Sequence, residues 1–138
     1  EYPALRGMKL ICAEDNELNA EILKSMLELA GAVCRIYPNG RAIAEAFDEI
    51  APENCDLVLM DIQMPEMNGY DAARAIRSSK NPYGRTVPII AMTANAFSDD
   101  VQRSIAAGMN AHLSKPVNLE ALERAIIRIR STPPPKWK

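Results

Sequence analysis

The stretch that decides the fold is Asp56-Leu57-Val58-Leu59-Met60-Asp61, four apolar residues in a row that stop at a carboxylate. An apolar run this short, bounded by turn residues, suits a strand covered on both faces, and such strands occupy the middle of parallel sheets. Outward from it, the same type of run recurs. Met8–Ala13 reads as a first strand stopped by Glu14-Asp15-Asn16, and Ala32–Tyr37 as a second ended by Pro38-Asn39-Gly40. The run at 56–60 is the third strand. Val87–Met92 is a fourth ending at Thr93, and Ala111-His112-Leu113 a short fifth before Ser114-Lys115-Pro116.

Helical periodicity fills the gaps. Residues 17–30 carry Leu18, Ile22, Met26 and Ala30 at every fourth position, with Leu23 and Leu27 beside them, which predicts one apolar face closed by Gly31. Residues 41–50 predict a second helix with Ile43, Ala46, Phe47 and Ile50 inward, broken by Pro52. Asn68 can cap a third, with Asp71 at the position of a capping-box partner. Residues 98–107 form a fourth, stopped by Gly108. The last carries Leu119, Leu122, Ile126 and Ile129 as its inward stripe. Strand and helix alternate five times, which demands parallel strands joined by right-handed crossovers with helices on both faces. The fold class is α/β, a single doubly wound (βα)5 sheet.

Composition agrees with one globular domain. The chain has 138 residues, 48% of them hydrophobic and 25% charged, with a formal net charge of −2. Lys and Arg form no basic stripe, so nucleic acid is not an expected partner. No apolar run reaches membrane-spanning length, and no signal peptide opens the chain. Cys12, Cys34 and Cys55 are odd in number and lack a C-x-x-C spacing, so they read as reduced, buried fillers in a cytoplasmic protein. Residues 1–7 and the proline-rich 132–138, which holds Trp137, read as linkers around a domain at 8–131, as if excised from a larger protein.

In such a sheet ligands bind beyond the carboxyl ends of the strands. The polar residues there are Glu14 and Asp15, Asp61, Thr93 and Lys115. Three carboxylates against one ammonium leave a surplus of two negative charges, which a divalent cation offsets. Hard oxygen ligands without His or Cys suit Mg²⁺, with Mn²⁺ as a substitute, and the Gln63 carbonyl can add one more oxygen. Mg²⁺ in an acidic pocket serves phosphate chemistry, and a carboxylate can itself be the nucleophile. Asp61, at the end of the most apolar strand, is the best nucleophile. Lys115 and the Thr93 hydroxyl would neutralise the transferred group. A Mg²⁺-dependent phosphohydrolase is the rival enzyme reading, but the usual Asp-x-Asp is missing because Gln63 stands two after Asp61. A docking module of the same fold would have lost a site residue, and none is lost. Neither nucleotide-binding glycine motif is present.

The segments Glu14-Asp15-Asn16, Met60 through Gly69, Ala91-Met92-Thr93-Ala94-Asn95-Ala96 and Ser114-Lys115-Pro116 together resemble the response-regulator receiver family, over roughly Lys9 to Arg130. The resemblance implies a flavodoxin-like sheet in the order 2-1-3-4-5 and phosphorylation of Asp61 by a phosphohistidine on a histidine kinase or phosphotransfer domain. It implies an acidic metal site at Glu14 and Asp15, a switch hydroxyl at Thr93, a phosphate-binding Lys115 and a cis Lys115-Pro116 bond. It further implies a switching surface, able to dimerise, on the fourth helix, fifth strand and fifth helix, with Gln63 and Asn95 tuning phosphate lifetime. The wording most resembles receivers of hybrid sensor histidine kinases. His112 departs from the family, which often carries Tyr or Phe there as a rotating switch. An imidazole is smaller and titrates near neutrality. As the lone histidine, in a strand, it is not expected to be the phosphate donor.

Overall fold

The strands lie in the order β2-β1-β3-β4-β5, all parallel. This computed structural model describes residues 1–94 and 98–132, so Asn95, Ala96 and Trp137 lie outside the described residues. In chain order the elements are β1 (Lys9–Ala13), α1 (Glu17–Leu29), β2 (Val33–Tyr37), α2 (Gly40–Phe47), β3 (Leu57–Asp61), α3 (Gly69–Arg77), β4 (Ile89–Thr93), α4 (Ser98–Ala106), β5 (Ala111–Ser114) and α5 (Leu119–Arg130). Short 3-10 turns at Pro52–Asn54 and Pro82–Arg85 precede β3 and β4.

Alternation along the strands sorts the core into two layers. Leu10, Cys12, Leu57, Leu59, Ile90, Met92 and Leu113 pack on one side with Leu23 and Leu27 of α1 and Leu122, Ala125 and Ile126 of α5. Ile11, Ala13, Val58, Met60, Ile89 and Ala91 pack on the other with Ile43 and Phe47 of α2 and Tyr70, Ala72, Ala73 and Ile76 of α3. β3 is buried along its whole length and sits at the centre of the sheet, as its unbroken apolar run requires. Residues 1–7 are held against the domain: Leu5 is fully buried and the Ala4 amide donates to Glu123 of α5.

Local chemistry explains most of the boundaries. Asn16, Asn39, Asn68 and Asn118 each accept a hydrogen bond from a first-turn amide of the following helix. Asp71 does not complete a capping box; its carboxylate pairs with Arg74 instead. α2 ends at Phe47 and not at Ile50, because the Asn81 side-chain amide donates to the carbonyls of both Phe47 and Ile50 and draws the chain out of the helix.

Arg77 ties the far end of the sheet together. Its buried guanidinium donates to the carbonyls of Gly84, Val87 and Gly108 and to the Asn110 side chain. Gly108 has φ +97°, and a Cβ there would sit 2.8 Å from Arg77 Cγ, so the position needs glycine twice over.

The apolar face expected on α1 needs correction. Leu23 and Leu27 are buried and Met26 is half-buried, but Leu18 and Ile22 are 65% and 55% exposed. The helix is apolar over a wider arc than the sheet can cover. Leu27→Ala should therefore cost roughly 2–5 kcal/mol, the usual loss for a fully buried leucine. Leu18→Ala should change stability by less than about 0.5 kcal/mol. Urea denaturation of the two variants checks this, and equal losses would contradict the orientation of α1.

Candidate phosphoryl-acceptor and metal site

The site is assembled by strand ends and by the turns that follow them. β1 delivers Glu14 and Asp15, β3 ends on Asp61, β4 ends on Thr93, and β5 runs into Lys115. Register brings these ends level, since Asp61 pairs with Met92 and Thr93 with Ser114. The Lys115 amide donates to the Thr93 carbonyl, and the Lys115-Pro116 peptide is cis, as expected.

One carboxylate oxygen each from Glu14, Asp15 and Asp61 lies within 4.8 Å of the others. Glu14 and Asp61 are buried and Asp15 is exposed, so the cluster opens on the Asp15 side. Lys115 Nζ bridges the two buried acids, 3.1 Å from Asp61 Oδ2 and 3.2 Å from Glu14 Oε1. The other oxygens have partners too: Asp61 Oδ1 accepts from the Gln63 amide and Glu14 Oε2 from the Asn16 amide, each at 3.2 Å. The donor set is all hard oxygen, with one ammonium against three carboxylates, so it fits a divalent cation such as Mg²⁺. Thr93 is buried at the end of β4. Gln63 is exposed beside Asp61, and His112 is half-exposed on β5 opposite Ala91.

The loop after Asp61 is pressed close to it. The Gly69 amide donates to the Ile62 carbonyl, and a Cβ at Gly69 would run into the carbonyl oxygen of Asp61. Met64 is buried in the core and Met67 packs against it, so both serve packing. Glu66, at φ +67°, makes the left-handed turn that brings the chain back toward Gly69. The sequence reading missed this role of Gly69. The Asn68-Gly69 pair was visible only as a helix start, and nothing local to it says that the Asp61 carbonyl at the end of β3 lies against it. It also missed the surface beside the site. A cavity of about 400 Å³ opens next to Glu14 and Lys115, with Ile22, Met26, Met92 and Val117 in its walls. Of the exposed apolar side chains of α1, Ile22 lines it.

Electrostatics at Asp61 are opposed. Burial pushes its carboxyl up, Lys115 pulls it down, and Glu14 adds to the rise, leaving it near 6. For Lys115, burial disfavours the charge, but Asp61 and Glu14 outweigh it and hold the ammonium above its ordinary value.

An aspartate raised in the folded state binds protons more tightly than in the unfolded chain. Its contribution is most favourable below about 4 and is lost as pH rises through about 6. After allowance for solvent screening, the penalty at pH 7 in metal-free protein is roughly 1 kcal/mol. Asp61→Asn should therefore be more stable than the wild type at pH 7 without metal, and the gap should close toward pH 4. Mg²⁺ should raise the melting temperature of the wild type and leave the variant nearly unchanged. Thermal unfolding at several pH values decides, and a variant less stable at pH 7 would refute the balance of forces.

Comparison with known proteins follows the same lines. Residues 10–127 match the response regulator receiver domain family. The chain is 35% identical to probable histidine kinase 1 of Oryza sativa subsp. indica, over 90% of this chain and 16% of that protein. Among solved structures it resembles the receiver domain of the histidine kinase CKI1 from Arabidopsis thaliana complexed with Mg²⁺ and BeF₃⁻, at 30% identity, TM-score 0.82 and 93% coverage of both chains. It also resembles the co-crystal structure of the Saccharomyces cerevisiae histidine phosphotransfer protein Ypd1 with the receiver domain of Ssk1, at 30% identity, TM-score 0.75, covering 88% of this chain and 87% of that one. Matched over residues 10–127, the chain belongs to the response regulator receiver domain family, and its relatives include receiver domains of sensor histidine kinases.

Proposed function

We propose that Asp61 accepts a phosphoryl group from a phosphohistidine, and that the domain then switches the surface of α4, β5 and α5. The observation that carries this reading is the convergence of Glu14, Asp15 and Asp61 within 4.8 Å, with Lys115 3.1 Å from the Asp61 carboxylate. Asp15 and Asp61, with Glu14 behind them and the Gln63 carbonyl beside them, would hold Mg²⁺; Mn²⁺ has the same ligand preferences. The bound ion supplies positive charge to the phosphoryl oxygens. A carboxylate oxygen of Asp61 attacks phosphorus in line as the donor's imidazole nitrogen leaves, and the aspartyl phosphate is the product. Lys115 moves from carboxylate to phosphoryl oxygen, and the Thr93 hydroxyl donates to another. Later attack by water returns Asp61 to its free form, so the domain promotes both its own phosphorylation and its own dephosphorylation.

The donor docks on the side of α1. Leu18 and Ile22 are exposed on that helix, and Ile22 lines the cavity that opens onto Glu14 and Lys115. Large exposed apolar side chains clustered at the mouth of a reactive site suit an apolar helix of a phosphotransfer domain. Movement of Thr93 toward the phosphoryl group would bias α4, and His112 on neighbouring β5 would follow without the swing of a large aromatic ring. Ile105 of α4 and Ile127 of α5 are about half exposed, so this face can also pair with a second copy. The chain spans 16% of the rice relative's length. A place in the cytoplasmic part of a hybrid sensor histidine kinase fits that proportion. No helix among the described residues is long and apolar enough to cross a membrane.

Beryllium fluoride with Mg²⁺ mimics an aspartyl phosphate and tests the site directly. Amide resonances of Thr93 and Lys115 should shift in the wild type and stay in place in Asp61→Asn. Thr93→Ala should still bind the analogue, with smaller shifts in α4 and β5. No response in the wild type, or an equal one in Asp61→Asn, would overturn the assignment.

A further inference from the structure

Two of the three cysteines face each other on the side of the sheet away from α2 and α3. Cys12 of β1 and Cys34 of β2 have sulfurs 3.2 Å apart. Register explains the meeting. Leu10 pairs with Cys34 and Cys12 with Ile36, so the two cysteines are diagonal neighbours on one face, both in the layer under α1. A disulfide needs about 2.05 Å between sulfurs, so closure asks the sulfurs to approach by about 1 Å, and because diagonal neighbours start about 7–8 Å apart it asks the backbone to move as well. β2 is the edge strand, bonded to β1 alone, and can shift without disturbing a second neighbour.

The pair is chemically asymmetric. Cys12 is fully buried. Cys34 borders a surface groove between α1 and β2. The hydrogen bond it shares with Cys12 lowers its thiol, burial opposes this, and the charge of Lys24 lowers it further. Cys34, 4% exposed at the groove, is the sulfur a small peroxide reaches first, and Cys12 behind it is the partner that closes the bond.

We propose that Cys12 and Cys34 form a redox-sensitive dithiol, which a hydroperoxide closes to an intramolecular disulfide that ties the edge strand to β1 two residues before Glu14. The Cys34 thiolate attacks a peroxide oxygen, the O–O bond breaks, and Cys34 becomes a sulfenic acid as hydroxide leaves and takes up the proton lost from the thiol. The Cys12 sulfur then attacks Cys34 Sγ. The S–S bond forms, the S–O bond breaks, and the Cys12 proton departs with the hydroxyl as a second water. Two thiols lose two electrons and hydrogen peroxide is reduced to two waters. Because the Glu14 amide donates to the carbonyl of Tyr37 at the end of β2, a shift of β2 on closure draws the metal-binding acids with it relative to Asp61. This last step rests on the receiver reading.

Hydrogen peroxide titration of the reduced chain, followed by thiol counting after denaturation, tests the bond. Free thiols should fall from three, Cys12, Cys34 and Cys55, to one. Peptide mapping should find Cys12 joined to Cys34, with a mass loss of about 2 Da for the two hydrogens removed. Cys55→Ser should still close, and Cys12→Ala should leave a dimedone-reactive sulfenic acid at Cys34. Persistence of all three thiols, or a bond through Cys55 or between chains, would overturn the proposal. Mg²⁺ titration of reduced and oxidised protein tests the coupling, with affinity expected to fall at least threefold on oxidation. Equal affinities would overturn the coupling and leave the disulfide standing, whereas a reduced protein that binds no Mg²⁺ would overturn the metal assignment alone.

Discussion

Burial of the Asp61 carboxylate is the constraint around which the site is arranged. The central strand must be apolar on both faces to be covered by helices, and it ends on a group that burial wants neutral. Lys115 answers part of that cost by bridging Asp61 and Glu14, but a second buried carboxylate adds repulsion of its own. The ligand-free fold therefore holds an unresolved excess of negative charge at one rim. A divalent cation, or a phosphoryl group brought in with one, relieves it. Affinity for such ligands is stored in the fold as electrostatic tension, in the same place where the chemistry has to occur.

The geometry of that rim depends on contacts far apart in sequence. Gly69 lets the loop after β3 close against the Asp61 carbonyl, and the cis Lys115-Pro116 turn follows the backbone bond from Lys115 to Thr93. Neither could be moved without moving a reactive side chain. The edge of the sheet at β2 is less constrained, since β2 pairs with β1 alone, and a change of state at the cysteine pair reaches the site only through β1 and the end of β2.

The parts legible in the sequence were those with a local signature. Apolar runs marked β3 and β4, Asn68 marked the start of α3, and polar residues at strand ends marked Glu14, Asp15, Asp61, Thr93 and Lys115. The orientation of α1 was harder to read because two adjacent stripes are both apolar, and only packing chooses Leu23 and Leu27 over Leu18 and Ile22. The stop of α2 depends on Asn81, 34 residues beyond Phe47. The guanidinium of Arg77 reaches carbonyls up to 31 residues away. Hydrogen bonds to distant backbone atoms impose no periodicity on the chain, so they leave no pattern to find. The meeting of Cys12 and Cys34 likewise follows from the β1–β2 register, which composition does not encode.

Arg77 has one more consequence. By holding the Gly108 carbonyl it rivets the trailing end of α4 to α3 and to the turn before β4. Further along the helix, Arg103 lies over the Tyr70 ring, 4.4 Å from its centre, a weaker and breakable contact. The Gly108 end of α4 is thus a fixed pivot, so any rearrangement of the helix is anchored at the rim of the sheet opposite the reactive aspartate.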